Sequence, residues 1–279
     1  MNAVTLAVAG LPTVQDTMPR SRLWRAYRTE AKYETIRALR SPAFAVPFLL
    51  LPIALYIFIG VFLVGSMSHG DRRTATTMFV NFAVFGVMGP AMFGFGVMVA
   101  NEREQGLLKL KRALPMPPAA SLLAKMFMAV IFAALVMTSL LIAGIFIAHL
   151  QLSAAQFLGI ALIDVAGALP FSAIGLSIGT VASGKSAPAF VNLAYLPMMY
   201  LGGLFFPLPR SVQPVEFASP AFYLQKLGLA VARTPSLDQL AIGPTGPSSH
   251  GSPILSVAVL VVLTLLFTAL AVRRLARVG

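Results

Sequence analysis

GTVASGKS, residues 179–186, separates two incompatible folds for this chain. It fits the pattern G-x-x-x-x-G-K-[ST] at Gly179, Gly184, Lys185 and Ser186, whose backbone N–H groups cradle phosphates in soluble α/β nucleotide-binding domains. The same eight residues also make a small turn. A working phosphate loop follows a buried strand, opens a helix and draws on a downstream acid for Mg²⁺. Here apolar runs long enough to cross a bilayer flank the stretch on both sides, and Pro188 stands where the phosphate-binding helix should continue. The hydrophobic run GIALID, ending at Asp164, mimics the Mg²⁺-binding strand but lies upstream. The reading is therefore a tight turn with Lys185 as a basic marker, and no cofactor is expected on this chain.

Composition agrees. Of 279 residues 58% are hydrophobic and 11% charged, against about 25% charged in soluble domains, and the mean hydropathy is +0.84. This is the profile of an integral membrane protein. With no cysteine, disulfides, thiolate nucleophiles and Cys-based metal sites are excluded. His69, His149 and His250 lie far apart without metal-ligand spacing, and read as loop residues.

A membrane-spanning helix needs about 20 mostly apolar residues, because every backbone group must be satisfied within the segment. Six stretches qualify, near Ala43–Gly65, Thr77–Ala100, Ser121–His149, Phe157–Ala182, Ala189–Phe206 and Pro253–Val272. The expected fold is all-α, with a flexible tail over 1–19, an interfacial amphipathic helix over 20–41 and a transmembrane domain over 42–279. Residues 1–19 lack a basic n-region and carry Pro12 in their apolar run, which argues against a signal peptide. Sixteen of the 21 Lys and Arg then fall on the side of both termini. Arg72, Arg73, Arg210, Lys226 and Arg233 fall on the other side. Positive charge marks the cytoplasmic side, so both termini are expected in the cytoplasm. Topology accounts for the net charge of +12, and a nucleic-acid partner loses its motivation.

The densest charge cluster beyond the amino terminus is NEREQGLLKLKRALPMPPAA, residues 101–120. Gly106 permits a sharp change of direction, Leu107, Leu108, Leu110 and Leu114 give a short helix an apolar stripe, and Pro115, Pro117 and Pro118 end it. A spanning helix would turn, run a short helix along the cytoplasmic face and re-enter at Ser121. An ordinary charged loop is the plainer alternative.

The run E-R-E-Q-G-L-L-K-L-K-R-A-L-P resembles the signature after the second span of ABC-2 type permeases, membrane subunits of bacterial ABC exporters. Glu102, Arg103, Glu104, Gly106, Leu108 and Pro115 match, while Leu107 replaces the usual Thr and Lys109 stands where an acid is common. The segment from Leu201 to Val231, with its Gly-Phe-Pro exit and Ser-Pro, resembles the family's fifth span and the short re-entrant helices after it. The resemblance implies a multi-pass permease of the bacterial cytoplasmic (inner) membrane, paired with a second copy or paralogue. It also implies two copies of a separate ABC ATPase, which hold ATP and Mg²⁺ and move the coupling loop 101–118. The permease itself would carry no catalytic site. The substrate would be apolar or amphipathic, drug-, lipid- or glycolipid-like, and move outward. The rival readings are a membrane ATPase using GTVASGKS and a non-transporting scaffold or assembly factor.

On a helical wheel, Leu23, Trp24, Tyr27, Ala31, Ala38 and Leu39 of the 20–41 helix share one half, with Arg28 and Glu34 intruding. Such a basic amphipathic helix lies against membrane lipid. In the outer loop 207–252, apolar segments around Val212–Phe217 and Tyr223–Val231 suggest short helices, followed by a Gly- and Pro-rich linker. Asp164 is the acid expected inside the hydrocarbon, with either a structural or a transport role. Gly86, Gly89, Gly94 and Gly96 predict close helix approach along the second span. Phe85 and Phe93 of the second span, with Asn192, Tyr195 and Met199 of the fifth, either line a pliable substrate path or simply pack.

Overall fold

The computed structural model describes residues 20–67, 71–107, 110, 118–206, 208, 213–235 and 252–278. Regular structure among these residues is helical throughout. The helices are α1 (Arg20–Leu39), α2 (Pro42–Met67), α3 (Arg72–Glu104), α4 (Pro118–Phe146), α5 (Ala154–Gly179), α6 (Ala187–Leu201), α7 (Pro220–Ala232) and α8 (Pro253–Val278). A 3₁₀ segment, Gln213–Ala218, precedes α7, so the two segments expected to form short helices before the last span are helical. The tail 1–19 and the linker 236–251 lie outside the described residues.

Five helices, α2, α3, α4, α5 and α8, are long and apolar enough to cross a membrane. The fifth expected span differs. Its helix stops at Leu201, and Gly202–Phe206 turn instead, Gly203 adopting φ +66°. Fifteen residues rise about 22 Å, short of the roughly 30 Å hydrocarbon core. The last helix runs the other way, continuing beyond Val272 through Arg273 and Arg274.

α3 is the central post. Of its most apolar stretch 83% is buried, against 17% for α2 and for α8. Small residues produce this, as the sequence predicted. A Cβ on Gly175 of α5 would strike the Met92 carbonyl of α3, and one on Gly179 would lie 2.7 Å from the Gly96 carbonyl. Backbones come this close where glycine at the contact removes the side chain that would otherwise hold them apart. Asp71 caps the start of α3, accepting from the N–H of Arg73 and Thr74 and from the Thr74 hydroxyl at 2.9 Å. α2 widens into a π-helix over Tyr56–Leu63, its Gly60 lying beneath the Tyr56 ring.

α1 packs on α4. Ala38, Glu34 and Thr35 are buried, whereas Trp24 and Leu39 are exposed. The side chain of Leu23 is outside the described set. Glu34, one of the two charged residues that intrude on the apolar half of the wheel, goes inside because a cation of α4 waits there.

Candidate functional site: the turn at the end of the central helix

α3 ends at Glu104, and Gln105–Gly106 form a turn, Gly106 at φ +73°, a left-handed conformation that favours glycine. The three charged residues before this turn each reach a different neighbour.

Glu102 points inward and is 1% exposed. Its Oε1 accepts from Lys125 Nζ of α4 at 2.8 Å and from Arg37 of α1 at 3.2 Å. Lys125, fully buried near the start of α4, also donates to Glu34 of α1 at 3.0 Å. Each buried carboxylate thus meets a cation, the condition under which buried charge is tolerated. Arg103 spreads its guanidinium over the end of α5. Nη1 donates to the Thr180 carbonyl, and Nη2 to Ala182 at 2.6 Å and Val181 at 3.4 Å. These carbonyls belong to the C-cap and the turn just beyond α5, where a cation is favoured by both hydrogen bonding and the helix dipole. Glu104 Oε2 accepts from the Gly184 N–H at 2.6 Å.

The glycine-rich stretch therefore has a place in the fold, held by the end of α3. GTVASGKS joins two helices, α5 and α6, rather than a strand and a helix. Its backbone carbonyls and the Gly184 N–H are the groups that Arg103 and Glu104 hold. Gly184 has no room for a side chain, since a Cβ there would run into Asn101 Oδ1 and Glu104 Oε2. Ser183 and Ser186 close the turn through a 2.8 Å hydroxyl contact, and Lys185 is exposed.

Of the residues expected at the coupling loop, Glu102, Arg103, Glu104 and Gly106 are brought to this one node, while Leu108 and Pro115 lie outside the described residues. Leu110 is 62% exposed. Sequence reasoning passed over Lys125, counting it as a cytoplasmic marker. The signal was its position: a lysine four residues into an apolar span needs a carboxylate.

The residues expected along a path divide. Phe85, Phe93 and Tyr195 meet, with ring centroids 5.9 Å apart for each phenylalanine against Tyr195. Phe205 extends the group at 5.3 Å from Phe85, and Phe48 at 5.2 Å from Phe93. Met199 is buried. Asn192 is not brought to them; it sits exposed on α6. Asp164 is fully buried on α5, with no hydrogen bond to either oxygen. Among the described residues no group of acids and histidines fit to hold a metal occurs.

Comparison with known proteins agrees with this architecture. Residues 25–231 match the family described as ABC-2 type transporter, a span that includes the turn, GTVASGKS and all but the last residue of α7. The chain is also similar to "Putative transport permease YvfS" of Bacillus subtilis (strain 168), at 28% identity over 193 residues, covering 68% of this chain and 78% of that protein. With its helical bundle and at least five helices able to cross a membrane, the chain belongs to the ABC-2 type transporter family and is a multi-pass membrane permease.

Proposed function

We propose that this permease is the membrane subunit of an ATP-driven exporter, powered by two copies of a separate ABC ATPase that hold ATP and Mg²⁺. One observation carries the reading. At one end of the most buried helix, three consecutive residues fasten α1, α4 and the α5–α6 turn to a single short turn of the chain. A push delivered at that turn moves four elements together, as a coupling element must.

In this reading the chain crosses the bacterial inner membrane six times, α6 with its following turn being the short fifth crossing, and both termini are cytoplasmic. The loop 101–118 docks on the ATPase. α1 lies at the lipid interface, in keeping with exposed Trp24, Tyr33 and Leu39. α7 dips into the outer leaflet and caps the exit. Exposed apolar side chains on α2, α6 and α8, among them Phe58, Leu193 and Leu265, serve lipid and a second permease copy or paralogue. An apolar or amphipathic substrate moves outward along the surface near Phe85, Phe93, Tyr195 and Met199.

Glu102, Arg103 and Glu104 act in this scheme as positioning residues, because their side chains are spent inside the chain. Exposed Leu110 is the better probe of docking. The permease co-expressed with its genomic neighbours is purified as wild type, Leu110→Glu and Lys185→Ala. Loss of the ATPase from the Leu110→Glu complex, with its retention in Lys185→Ala, is the expected result. Full retention and full ATP-driven transport by Leu110→Glu defeats docking through this loop. Nucleotide binding by the isolated chain, abolished in Lys185→Ala, defeats the reading altogether.

A further inference from the structure

The chain treats its buried acids in two ways. Glu34 and Glu102 lie within 3.0 and 2.8 Å of Lys125, as structural carboxylates should. Asp164 is just as buried, yet neither oxygen has a hydrogen-bond partner, and among the described residues no cation pairs with it.

Three packing registers show what surrounds its level. α3 and α5 run parallel, Gly175 against Met92 and Gly179 against Gly96. Eleven residues before Gly175 stands Asp164, and eleven before Met92 stands Asn81. Eleven residues are about three turns, so both side chains return to the facing sides at one depth. α5 and α7 run antiparallel, Gly159 against Val231 and Gly167 against Leu224, which puts Asp164 alongside Leu227 and Gly228. α7 and α3 close the triangle: Gln225 Nε2 donates to Asn81 Oδ1 at 2.8 Å, and Gly228 abuts Val80. Asn81 is fully buried, and its Nδ2 donor has no acceptor. A buried carboxylate and a buried amide donor, both unanswered, thus share one level of a three-helix junction.

Polar groups inside a membrane bundle are costly and face a partner or a pathway. We propose that this junction is a recognition site for a cationic amphiphile. Asp164 receives the positive head, a quaternary or protonated amine, and Asn81 Nδ2 donates to a neighbouring hydroxyl, ether or carbonyl oxygen of the same molecule. α7 fills the junction in the present conformation, held by Gln225 to Asn81 and to the Gly203 carbonyl at 3.2 Å, and the head enters as α7 gives way. The site selects against anions and gives neutral analogues no advantage. It deepens the permease reading and rests on it.

The test uses the full chain with its ATPase in lipid vesicles. Binding of tetraphenylphosphonium is compared with that of neutral triphenylphosphine oxide for wild type, Asp164→Asn and Asp164→Glu, with ATP-driven uptake followed in parallel. Asn is nearly isosteric, and Asp164→Glu keeps the charge. The expected result is a loss of cation affinity of roughly tenfold or more in Asp164→Asn, unchanged binding of the neutral probe, and cation preference retained in Asp164→Glu. Equal losses for both probes assign Asp164 to packing and overturn the proposal, as does an unchanged cation preference in Asp164→Asn. ATP-driven uptake persisting with that unchanged preference removes the site and leaves the permease. Charge-dependent binding without any ATP-driven transport leaves the site and removes the exporter.

Discussion

Replacing Lys125 by Met exposes how the coupling node is held. Its ammonium stands 2.8 Å from Glu102 and 3.0 Å from Glu34, and the three side chains are at most 5% exposed. Met fills nearly the same volume but takes away a cation that stands against both buried carboxylates, while Arg37, itself 58% exposed, stays on Glu102 at 3.2 Å. Breaking a buried pair by removing one partner costs about 3–5 kcal/mol, or roughly two to four powers of ten in an equilibrium constant. The cost falls on docking of α1 against α4, because Glu34 is the only one of the three on α1. Hydrogen–deuterium exchange of the purified chain reads this locally: amides of α1 should lose protection by about that factor, while those at the α3–α5 contact near Gly96 and Gly175 keep theirs. The triple variant with Met at 34, 102 and 125 should recover most of the protection, since replacing a whole buried ion network by apolar residues is often neutral. Protection of α1 within about fivefold of wild type in Lys125→Met, or a triple variant as damaged as the single one, refutes the reasoning.

Gly184→Ala should cut ATP-driven transport while the chain still folds, because a Cβ there forces Asn101 and Glu104 away and breaks the 2.6 Å bond to the turn; size-exclusion behaviour and transport together check this. Arg103→Lys keeps the charge but loses the planar fork that reaches three carbonyls, so exchange at the start of α6 should rise by about tenfold. Gly175→Leu should prevent stable assembly of the bundle, since its backbone lies against the Met92 carbonyl; yield of monodisperse protein reports it. At the other end of α3, the Thr74 hydroxyl bond, with the N–H bonds of Thr74 and Arg73, holds the Asp71 carboxyl below its ordinary range. A depressed carboxyl stabilises above its unfolded pKa of about 3.9, and that contribution disappears as pH falls through the lower folded value. Asp71 is exposed, so the effect is small and local: fraying at Arg72–Thr76 should increase on acidification in wild type and be independent of pH in Asp71→Asn.

Much of this molecule is decided by local chemistry. Apolar runs of bilayer length, glycines spaced along the second of them, and the Ser-Pro start of α7 each act within a few residues of chain, so helix positions were legible to within a few residues. The turn at Gly106 was legible too, since a glycine just after the charged run E-R-E permits a sharp change of direction. Pairings across the sequence were not. Nothing local says that Glu34 crosses to Lys125 91 residues away, or that Glu104 grips Gly184 80 residues on. The P-loop pattern looked accidental because its partners are the E-R-E residues at the end of another helix. Nor does hydropathy fix where the fifth apolar run stops being helix, because Gly202 and Gly203 turn in response to α7 packing beneath them: a Cβ on Gly202 would lie 2.9 Å from Ala221. By itself the sequence determined an apolar, all-helical chain with a basic end and a charged turn after its second span, because burial, charge and backbone freedom are properties of single residues. Only the tertiary structure decided which acids are answered and which, like Asp164, are not, because a charge's partner is set by the packing of helices that are remote in the chain.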